Sequence, residues 1–222
     1  MHLIKHKWIK RIFVLILVIF ISYILYLNSL VKSQFSSEIE PKDNVVQIQN
    51  LIDDYPKELI NMLLLVEDQS FFDHMGVDFK EILRVLYGYL FEEKELRGAS
   101  TITQQLIKNT LLSRDKTLAR KTDEALMAIL MEMSYDKNFI LERYMNTVYL
   151  AQQGSTAIHG FASGSLHYFD KDVESLNLEE MATLVALLKG PSYYNPVNSP
   201  ERLSRRVEMI LSMHKNYKKI IQ

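Results

Sequence analysis

Residues 57–76 read KELINMLLLVEDQSFFDHMG, and this stretch decides how the chain folds. Its first ten residues place apolar side chains along a helical stripe, which predicts a helix over residues 57–66. Glu67 and Asp68 follow at the C-terminal end of that helix, where the helix dipole disfavours negative charge by about 0.3–1 kcal/mol. The two carboxylates are therefore candidates for function, although a solvated acidic turn ahead of core residues would look the same.

On both sides of this stretch the pattern is helical. Capping signals mark the starts of three further helices: Asp78 with Glu81, Ser100 or Thr101 with Gln104, and Asn177 with Glu180. Helices are also predicted over residues 117–133 and 138–150, and an extended piece over residues 45–48. No sustained alternation of period two appears. The fold class is therefore mainly α, with one domain of about 180 residues around a single core.

The composition excludes several classes of function. With 48% hydrophobic and 24% charged residues, the chain can bury a core and is not disordered. It has no cysteine, so disulfides, thiolate metal sites and thiol nucleophiles are ruled out. Residues 1–34 contain five cations and no acid, which leaves 21 cations against 27 acids in the remainder. That acidic remainder lacks the basic surface that nucleic acids need, so no nucleic-acid partner is expected.

The N-terminal segment predicts a membrane anchor. Residues 12–31 carry no charge, and twenty residues of helix rise about 30 Å, the thickness of the hydrocarbon core. No small-x-small cleavage site follows, so an uncleaved single-pass helix is expected. Cations precede the span, which predicts a cytoplasmic N-terminus: Lys5, Lys7, Lys10 and Arg11. The predicted organisation is a basic tail (1–11), the anchor (12–31), a tether (32–50) and an extracytoplasmic domain (51–222).

Two further strings stand out. Residues 98–109, GASTITQQLIKN, combine a helix start rich in hydroxyls and amides with a lysine two turns along, which suits an anionic phosphate but also describes a capped surface helix. Residues 120–132, RKTDEALMAILME, place Arg120 and Glu124 four apart on one helix face. Taken alone, that spacing is a common surface pair.

Together, in this order and spacing, the strings resemble the signature of the peptidoglycan glycosyltransferases, glycosyltransferase family 51. That family carries E-D-x-x-F-x-x-H-x-G, then G-[GA]-S-T-I-T-Q-Q-x-x-K-N, then R-K-x-x-E. A fourth string, KNFILERYMNTVYL (residues 137–150), also matches. The later segments LAQQGSTAIHGFASGSLHYF and LLKGPSYYNPVNSPERL are similar to the type-1b branch of class A penicillin-binding proteins. The resemblance covers residues 51–206.

The resemblance implies a lysozyme-like, two-lobed helical domain with a cleft, whose mobile edge would include residues 86–99. It implies that lipid II is joined into β-1,4-linked glycan strands with inversion at C1 and release of undecaprenyl pyrophosphate. Glu67 would be the general base, because a sugar hydroxyl must lose its proton as it attacks. The resemblance also implies that the pyrophosphate is bound by Lys108, Lys116 and Arg120, with Ser100 and Gln104 as hydrogen-bond partners. Asp68, Phe71 and His74 would support the first motif. Glu124, the second catalytic residue that the resemblance implies, would orient the cations or hold a divalent ion (Mg or Mn), and no cofactor is expected to be obligatory.

Two positions depart from the family pattern. Lys116 stands where the family usually has Arg, so the charge is kept but the bidentate fork for phosphate is lost. Ser134 stands where many members have a basic residue.

Three other functions fit parts of the sequence. A lysozyme-like lytic glycosidase shares the helices and the catalytic Glu, but has no use for the phosphate-binding series. A nucleotide-sugar transferase could use the D-x-D triplet of residues 170–172, which lacks surrounding strands. A non-enzymatic scaffold of a wall-synthesis complex would not need both Glu67 and Glu124. No transpeptidase motif set follows, so we expect the partners to be lipid II, the glycan strand, and a separate transpeptidase or wall-synthesis complex in the bacterial inner membrane.

Overall fold

The computed structural model describes residues 2–36, 45–92, 100–113, 115–217 and 220–221. Parts of three predictions lie outside the described residues: the middle of the predicted tether, the expected mobile edge beyond Glu92, and Gly98 and Ala99 of the second string. The elements follow in this order: α1 (His2–Phe35), β1 (Val45–Gln47), α2 (Lys57–Glu67), α3 (Phe79–Phe91), α4 (Ile102–Leu111), α5 (Leu118–Ser134), α6 (Lys137–Thr147), β2 (Tyr149–Gln153), β3 (Thr156–His159), α7 (Phe161–Phe169), α8 (Leu178–Leu187) and α9 (Pro200–Asn216). The predicted mainly α class is confirmed.

The core forms around α2. Every residue of α2 from Leu59 to Leu65 is buried, and the helix packs against α8 and α9. Next to it, α4 packs against both α5 and α6. The end of α2 and the start of α4 are therefore held by one continuous hydrophobic cluster.

Two of the three helix starts predicted from capping signals have complete capping boxes, and the third has half of one. The capping boxes predicted at the starts of α4 and α8 both form. Asp78 caps α3 by accepting a hydrogen bond from the backbone N–H of Glu81. The Glu81 side chain, however, binds Arg84 rather than returning to the cap, so only half of that predicted box exists.

The sequence analysis predicted one strand of a small sheet, because the extended piece expected over residues 45–48 forms β1, but it missed the other two strands, β2 and β3. The strand order of this sheet is β1-β3-β2, with β1 parallel to β3 and β2 antiparallel to it. The helix predicted over residues 138–150 was wrong at its end, because α6 stops at Thr147 and β2 begins at Tyr149. The strands have only three to five residues, and the pairing shifts register between Tyr149 and Ala151. Period-two alternation therefore cannot be recognised in the sequence.

The N-terminal helix is joined to the domain by packing. From Trp8 to Phe35, α1 is long and apolar enough to cross a membrane, with 28 residues. Its C-terminal third packs on α5 and α4, where Leu27, Val31 and Phe35 are buried along one face. The first residues of the predicted tether thus continue the helix as far as Phe35.

Helix α3, unlike α2, is mostly exposed. Of its thirteen residues only Gly88 is buried, and its exposed apolar side chains include Leu83, Tyr87 and Phe91. It therefore projects from the core that surrounds α2.

A buried amide joins the start of α2 to the far end of the chain. Asn61 is fully buried, and its Oδ1 accepts hydrogen bonds from the backbone N–H groups of Ile220 and Ile221. Its Nδ2 donates to the carbonyl oxygens of Lys57 and Ile221. This single side chain satisfies polar backbone groups that are about 160 residues away from it in sequence.

Candidate active site

The first two sequence strings meet at the start of α4. The Asp68 carboxylate accepts a hydrogen bond from the backbone N–H of Ile102 at 2.9 Å, in the first turn of that helix. The Thr101 hydroxyl donates to the carbonyl oxygen of Gly76 at 2.7 Å. A carboxylate at a helix N-terminus is favoured by the free N–H groups and by the dipole. Asp68 therefore supports the loop after α2.

His74 and Phe71 lie on the inner side of the same loop. The Nε2 atom of His74 lies 3.1 Å from Asp68, and its Nδ1 accepts from the backbone N–H of Gly76 at 3.1 Å. A neutral imidazole protonated at Nε2 satisfies both contacts. Phe71 is fully buried, with the Lys137 ammonium 4.5 Å from its ring centre.

Lys137, from the fourth string, ties this loop to α5. Its Nζ donates to the carbonyl oxygen of His74 at 2.8 Å and to Glu132 at 2.7 Å. Glu132 also accepts from the Thr103 hydroxyl at 2.6 Å, and its side chain is 2% exposed. Lys137 and Glu132 were not singled out as site residues, although the fourth string contained the lysine.

Glu67 is held by an amide that the sequence analysis did not select. Nε2 of Gln105 donates to Oε2 of Glu67 at 2.9 Å. The Tyr144 hydroxyl donates in turn to Oε1 of Gln105 at 3.2 Å. Burial, and after it the nearby charge of Glu67, raises the pKa of Tyr144 well above its ordinary value, so this hydroxyl keeps its proton. Within the described ranges, the other oxygen of Glu67 makes no hydrogen bond.

Gln104 serves the helix cap. Its Oε1 accepts from the backbone N–H of Thr101, and the residue is 2% exposed. It lines neither of the cavities described below, although we predicted it as a partner of the pyrophosphate. The adjacent Gln105 is the amide that faces solvent-accessible space.

The third string forms a compact ion cluster at the start of α5. Arg120 donates to one oxygen of Glu124 at 2.6 Å, and Lys121 binds the other oxygen. Lys121 also donates to the Ser100 hydroxyl at 2.9 Å. The Glu124 side chain is 2% exposed, so its charge is balanced inside the protein. Lys121 is a further residue that the sequence analysis left out, despite its place in the R-K-x-x-E string.

This cluster does not fit a metal at Glu124. Both carboxylate oxygens already bind cations. Among the described residues, no group of three or more His, Asp or Glu side chains is arranged to hold a metal ion. The divalent ion expected at the pyrophosphate stays a prediction.

The larger cavity beside the cluster measures about 830 Å³. Its lining includes three cations, Lys108, Lys116 and Arg120, together with Gln105 and the acidic Asp115. The small sheet supplies other lining residues, Tyr149, Gln152 and His159. Three of the predicted phosphate-binding residues are thus brought together around one space.

A smaller cavity of about 290 Å³ contains the two carboxylates. Its lining includes Glu67, Asp68, Ser70, Ser100 and Arg84. Ser100, which we predicted as a partner of the pyrophosphate, lines this cavity and not the larger one. Gln105 lines the larger cavity and Glu67 lines the smaller one, so one partner of this hydrogen bond faces each cavity.

The chain is similar in sequence to known proteins. A family profile described as Transglycosylase matches residues 33–215. The chain is 41% identical over 178 residues to penicillin-binding protein 1B of Haemophilus influenzae, covering 80% of this chain and 23% of that protein. It is 44% identical over 161 residues to penicillin-binding protein 1B of Vibrio cholerae, covering 72% of this chain and 21% of that protein.

A third relative has a different name. Penicillin-binding protein 1A of Neisseria lactamica is 45% identical over 161 residues, covering 72% of this chain and 20% of that protein. The chain therefore spans about a fifth of the length of these three relatives.

Proposed function

The chain belongs to the transglycosylase family, and from that premise we propose that it is a peptidoglycan glycosyltransferase that polymerises lipid II. Its substrate would be a disaccharide-pentapeptide on undecaprenyl pyrophosphate. The observation that carries the proposal is the Glu67–Gln105 hydrogen bond, because Gln105 lines a cavity whose lining includes three cations and Glu67 lines a smaller cavity.

In the proposed reaction the donor occupies the larger cavity. Its pyrophosphate lies against Lys108, Lys116 and Arg120, whose charges stabilise the negative charge that develops on departure. The acceptor sugar enters the smaller cavity and presents its 4-hydroxyl to Glu67. The free oxygen of Glu67 takes the hydroxyl proton while the acceptor oxygen bonds to C1 of the donor.

The bond from C1 to the pyrophosphate oxygen breaks in the same step, and its electron pair leaves with undecaprenyl pyrophosphate. The α-linked donor becomes a β-1,4-linked product, so no covalent enzyme intermediate is needed. Gln105 fixes the orientation of the base. Glu124 acts by fixing Arg120 and Lys121, and no step requires it to bind metal.

The helix α1 supports a membrane location for this chemistry. A substrate with a lipid tail stays in the membrane plane, so an anchored domain meets it at a raised effective concentration. We propose a bacterial inner-membrane protein with one span, a cytoplasmic N-terminus and an extracytoplasmic catalytic domain. The side chains of Lys5 and Lys7, on which the orientation partly depends, lie outside the described residues, whereas Lys10 and Arg11 lie within them. Partnership with a transpeptidase in a wall-synthesis complex stays a prediction.

The deciding experiment is incubation of the full chain with labelled lipid II, with products resolved by length. Polymer that forms in the parent, is absent in Glu67→Gln and is blocked by a moenomycin-type inhibitor supports the proposal. A parallel incubation with finished peptidoglycan distinguishes the lytic alternative, which would release fragments and make no polymer. Repeating the assay with and without Mg or Mn tests the divalent ion. Absence of polymer and of fragments would favour the scaffold.

A further inference from the structure

Two tyrosines and two arginines form stacked pairs on the surface between α8 and α9. The chain turns at Gly190, whose carbonyl oxygen accepts hydrogen bonds from the backbone N–H groups of Tyr193 and Tyr194, both at 3.0 Å. The guanidinium carbon of Arg202 lies 4.5 Å from the ring centre of Tyr193. That of Arg206 lies 5.3 Å from the ring centre of Tyr194. The pair of Tyr193 and Arg202 is exposed, and we call it the platform.

The two arginines have different surroundings. Arg206 is half-buried, and its Nε donates a hydrogen bond to the carbonyl oxygen of Ala186 at 3.2 Å, so it joins α9 to α8. Arg202 is exposed, and its guanidinium forms no hydrogen bond or ion pair with any residue that the structure describes. A guanidinium stacked on a ring keeps its edge open, and that edge can bind a carboxylate through two parallel hydrogen bonds.

The position of Arg202 is unfavourable for the helix that carries it. Arg202 lies in the first turn of α9, where the helix dipole disfavours a cation. Arg206 carries the same charge four residues later, and like charges at that spacing also weaken a helix. Helix stability therefore does not explain why an arginine stands here, whereas binding of an anion does.

The platform lies beside the rim of the larger cavity. Leu188 and Pro191, on the two sides of Gly190, line that cavity, and Tyr193 follows in the same turn. If the cations of the cavity hold the donor's pyrophosphate, the disaccharide-pentapeptide begins in this space. A stem of five residues spans at most about 18 Å, whereas a sphere with the cavity's volume of 830 Å³ is about 12 Å across. A carboxylate of the stem can therefore reach the platform.

We propose that the platform binds a carboxylate of the donor's peptide stem through the guanidinium of Arg202. This inference rests on the proposed function, because it names the part of the donor that extends beyond the larger cavity. A pentapeptide has at least its C-terminal carboxylate, so the required anion is present in the substrate. Arg202 touches the stem, whereas Tyr193 is a positioning residue that holds the guanidinium.

The packing of the helices favours the stem over a lipid headgroup as the anion. The helices on either side of the platform, α8 and α9, pack on each other and on α2. The membrane helix α1 packs on other elements, α5 and α4. Continuity with the cavity and separation from the packing surface of α1 both indicate a site for the glycan.

Kinetics of the full chain in detergent test the platform, with lipid II whose stem carboxylates are either free or converted into amides. On the free-acid substrate, Arg202→Ala should raise KM about two- to fivefold, the range for an exposed ion pair, with kcat within about twofold. On the amide substrate, the variant and the parent should have equal KM values, because no carboxylate remains to be bound. Arg205→Ala is the matched control, since Arg205 is exposed on the same helix and its guanidinium makes no contact of these kinds with the described residues.

Variants of Tyr193 distinguish a positioned guanidinium from a lone surface charge. Tyr193→Phe should match the parent on both substrates, because a phenylalanine ring also attracts a cation. Tyr193→Ala should raise KM about two- to threefold on the free-acid substrate and leave it unchanged on the amide substrate, since Arg202 keeps its charge but loses its support.

A binding measurement tests the site without turnover. The probe is a fluorescent, water-soluble disaccharide-pentapeptide that has neither the lipid nor the pyrophosphate, and fluorescence anisotropy gives its Kd for the full chain. Arg202→Ala should weaken this binding about two- to fivefold. Arg205→Ala should bind the probe as the parent does.

Either of two results overturns the inference. One is an Arg202→Ala variant that equals the parent on the free-acid substrate and with the soluble probe. The other is a KM that rises equally on the acid and amide substrates, which would show that Arg202 binds a different anion, such as a lipid headgroup. Failure of the proposed function is a separate result, because a parent that makes no polymer still gives a decisive answer with the soluble probe.

Discussion

Gln105 binds Glu67 through its Nε2 and reaches the larger cavity with the same side chain. Among the residues that the structure describes, this contact leaves one Glu67 oxygen without a hydrogen bond and turns the other toward α4. Both partners sit on helices of the core, α2 and α4, so the geometry of the pair depends on packing rather than on a loop.

Glu67→Gln should reduce polymerisation at least a hundredfold, because it removes the proton acceptor at nearly constant shape and general base catalysis supplies roughly 10²–10⁴-fold. The measurement is turnover of labelled lipid II, with binding of lipid II and the unfolding temperature as controls. A folded variant with more than about a tenth of parental turnover would mean that another group is the base.

Gln105→Ala should lower kcat about tenfold and leave KM within about twofold, because a hydrogen bond to a charged group contributes about 1.5–3 kcal/mol and this one orients the base. Gln153→Ala is the matched control, since that amide is exposed on β2 and lines neither cavity. Equal kcat values for the two variants would show that Glu67 does not need this partner.

Lys116→Ala should lower kcat/KM about ten- to a hundredfold, because a charge-assisted hydrogen bond to pyrophosphate is worth roughly 1.5–3 kcal/mol. Lys116→Arg should equal or exceed the parent, since guanidinium offers two parallel donors to phosphate. Steady-state kinetics decide this, with Lys215→Ala as an exposed-lysine control. An Ala variant within twofold of the parent would rule out the contact, and a much slower Arg variant would mean that the site is built around lysine.

Lys137→Met should lower the free energy of unfolding by about 3 kcal/mol, because it leaves the Glu132 charge buried without its cation. Chemical denaturation in detergent measures the change. Lys171→Met is the comparison: it removes the more exposed pair with Glu180, where the lysine is 43% exposed, and should cost less than about 1 kcal/mol. Equal losses would contradict the role assigned to the Lys137 contacts.

Deletion of residues 1–34 should destabilise the domain by about 3 kcal/mol or more, because it removes the buried side chains of Leu27 and Val31. Deletion of residues 1–21 keeps both side chains and should unfold at nearly the parental temperature in detergent. The comparison separates loss of the membrane span from loss of packing. If both shortened chains unfold together, then α1 acts only as a tether.

The sequence predicted most of the helices that have strong local signals, and it missed β2, β3, α7 and α9. The boxes at α4 and α8 could be recognised because their partners are three residues apart. Helix α7 has no side-chain cap, and its Gly164 lies so close to Leu150 that an added Cβ would be 2.6 Å from Cδ1. That close packing has no signature in the segment alone. Helix α9 did carry readable signals, Pro200 at its start and Lys215 near its end.

In the candidate site, too, some residues could have been predicted from local spacing in the sequence, whereas others could not. Recognising Gln104 as the capping partner already assigns its side chain to the backbone, so the next residue, Gln105, should have been chosen to face the cavity. Lys121 could have been selected because it lies three residues before Glu124 on the same helix. The smaller cavity could not be predicted, since its lining comes from α2 and the loop after it, from α3, from the segment before α4 and from Met213 of α9.

The buried amide of Asn61 has a consequence for the order in which the protein matures. Its oxygen has partners only when residues 220 and 221 are present, and an unsatisfied buried polar group costs about 1–3 kcal/mol. During synthesis, α2 emerges about 160 residues before those partners. The helix that ends in Glu67 therefore reaches its final stability only after nearly the whole chain has been delivered, which delays an ordered active site until the domain is complete.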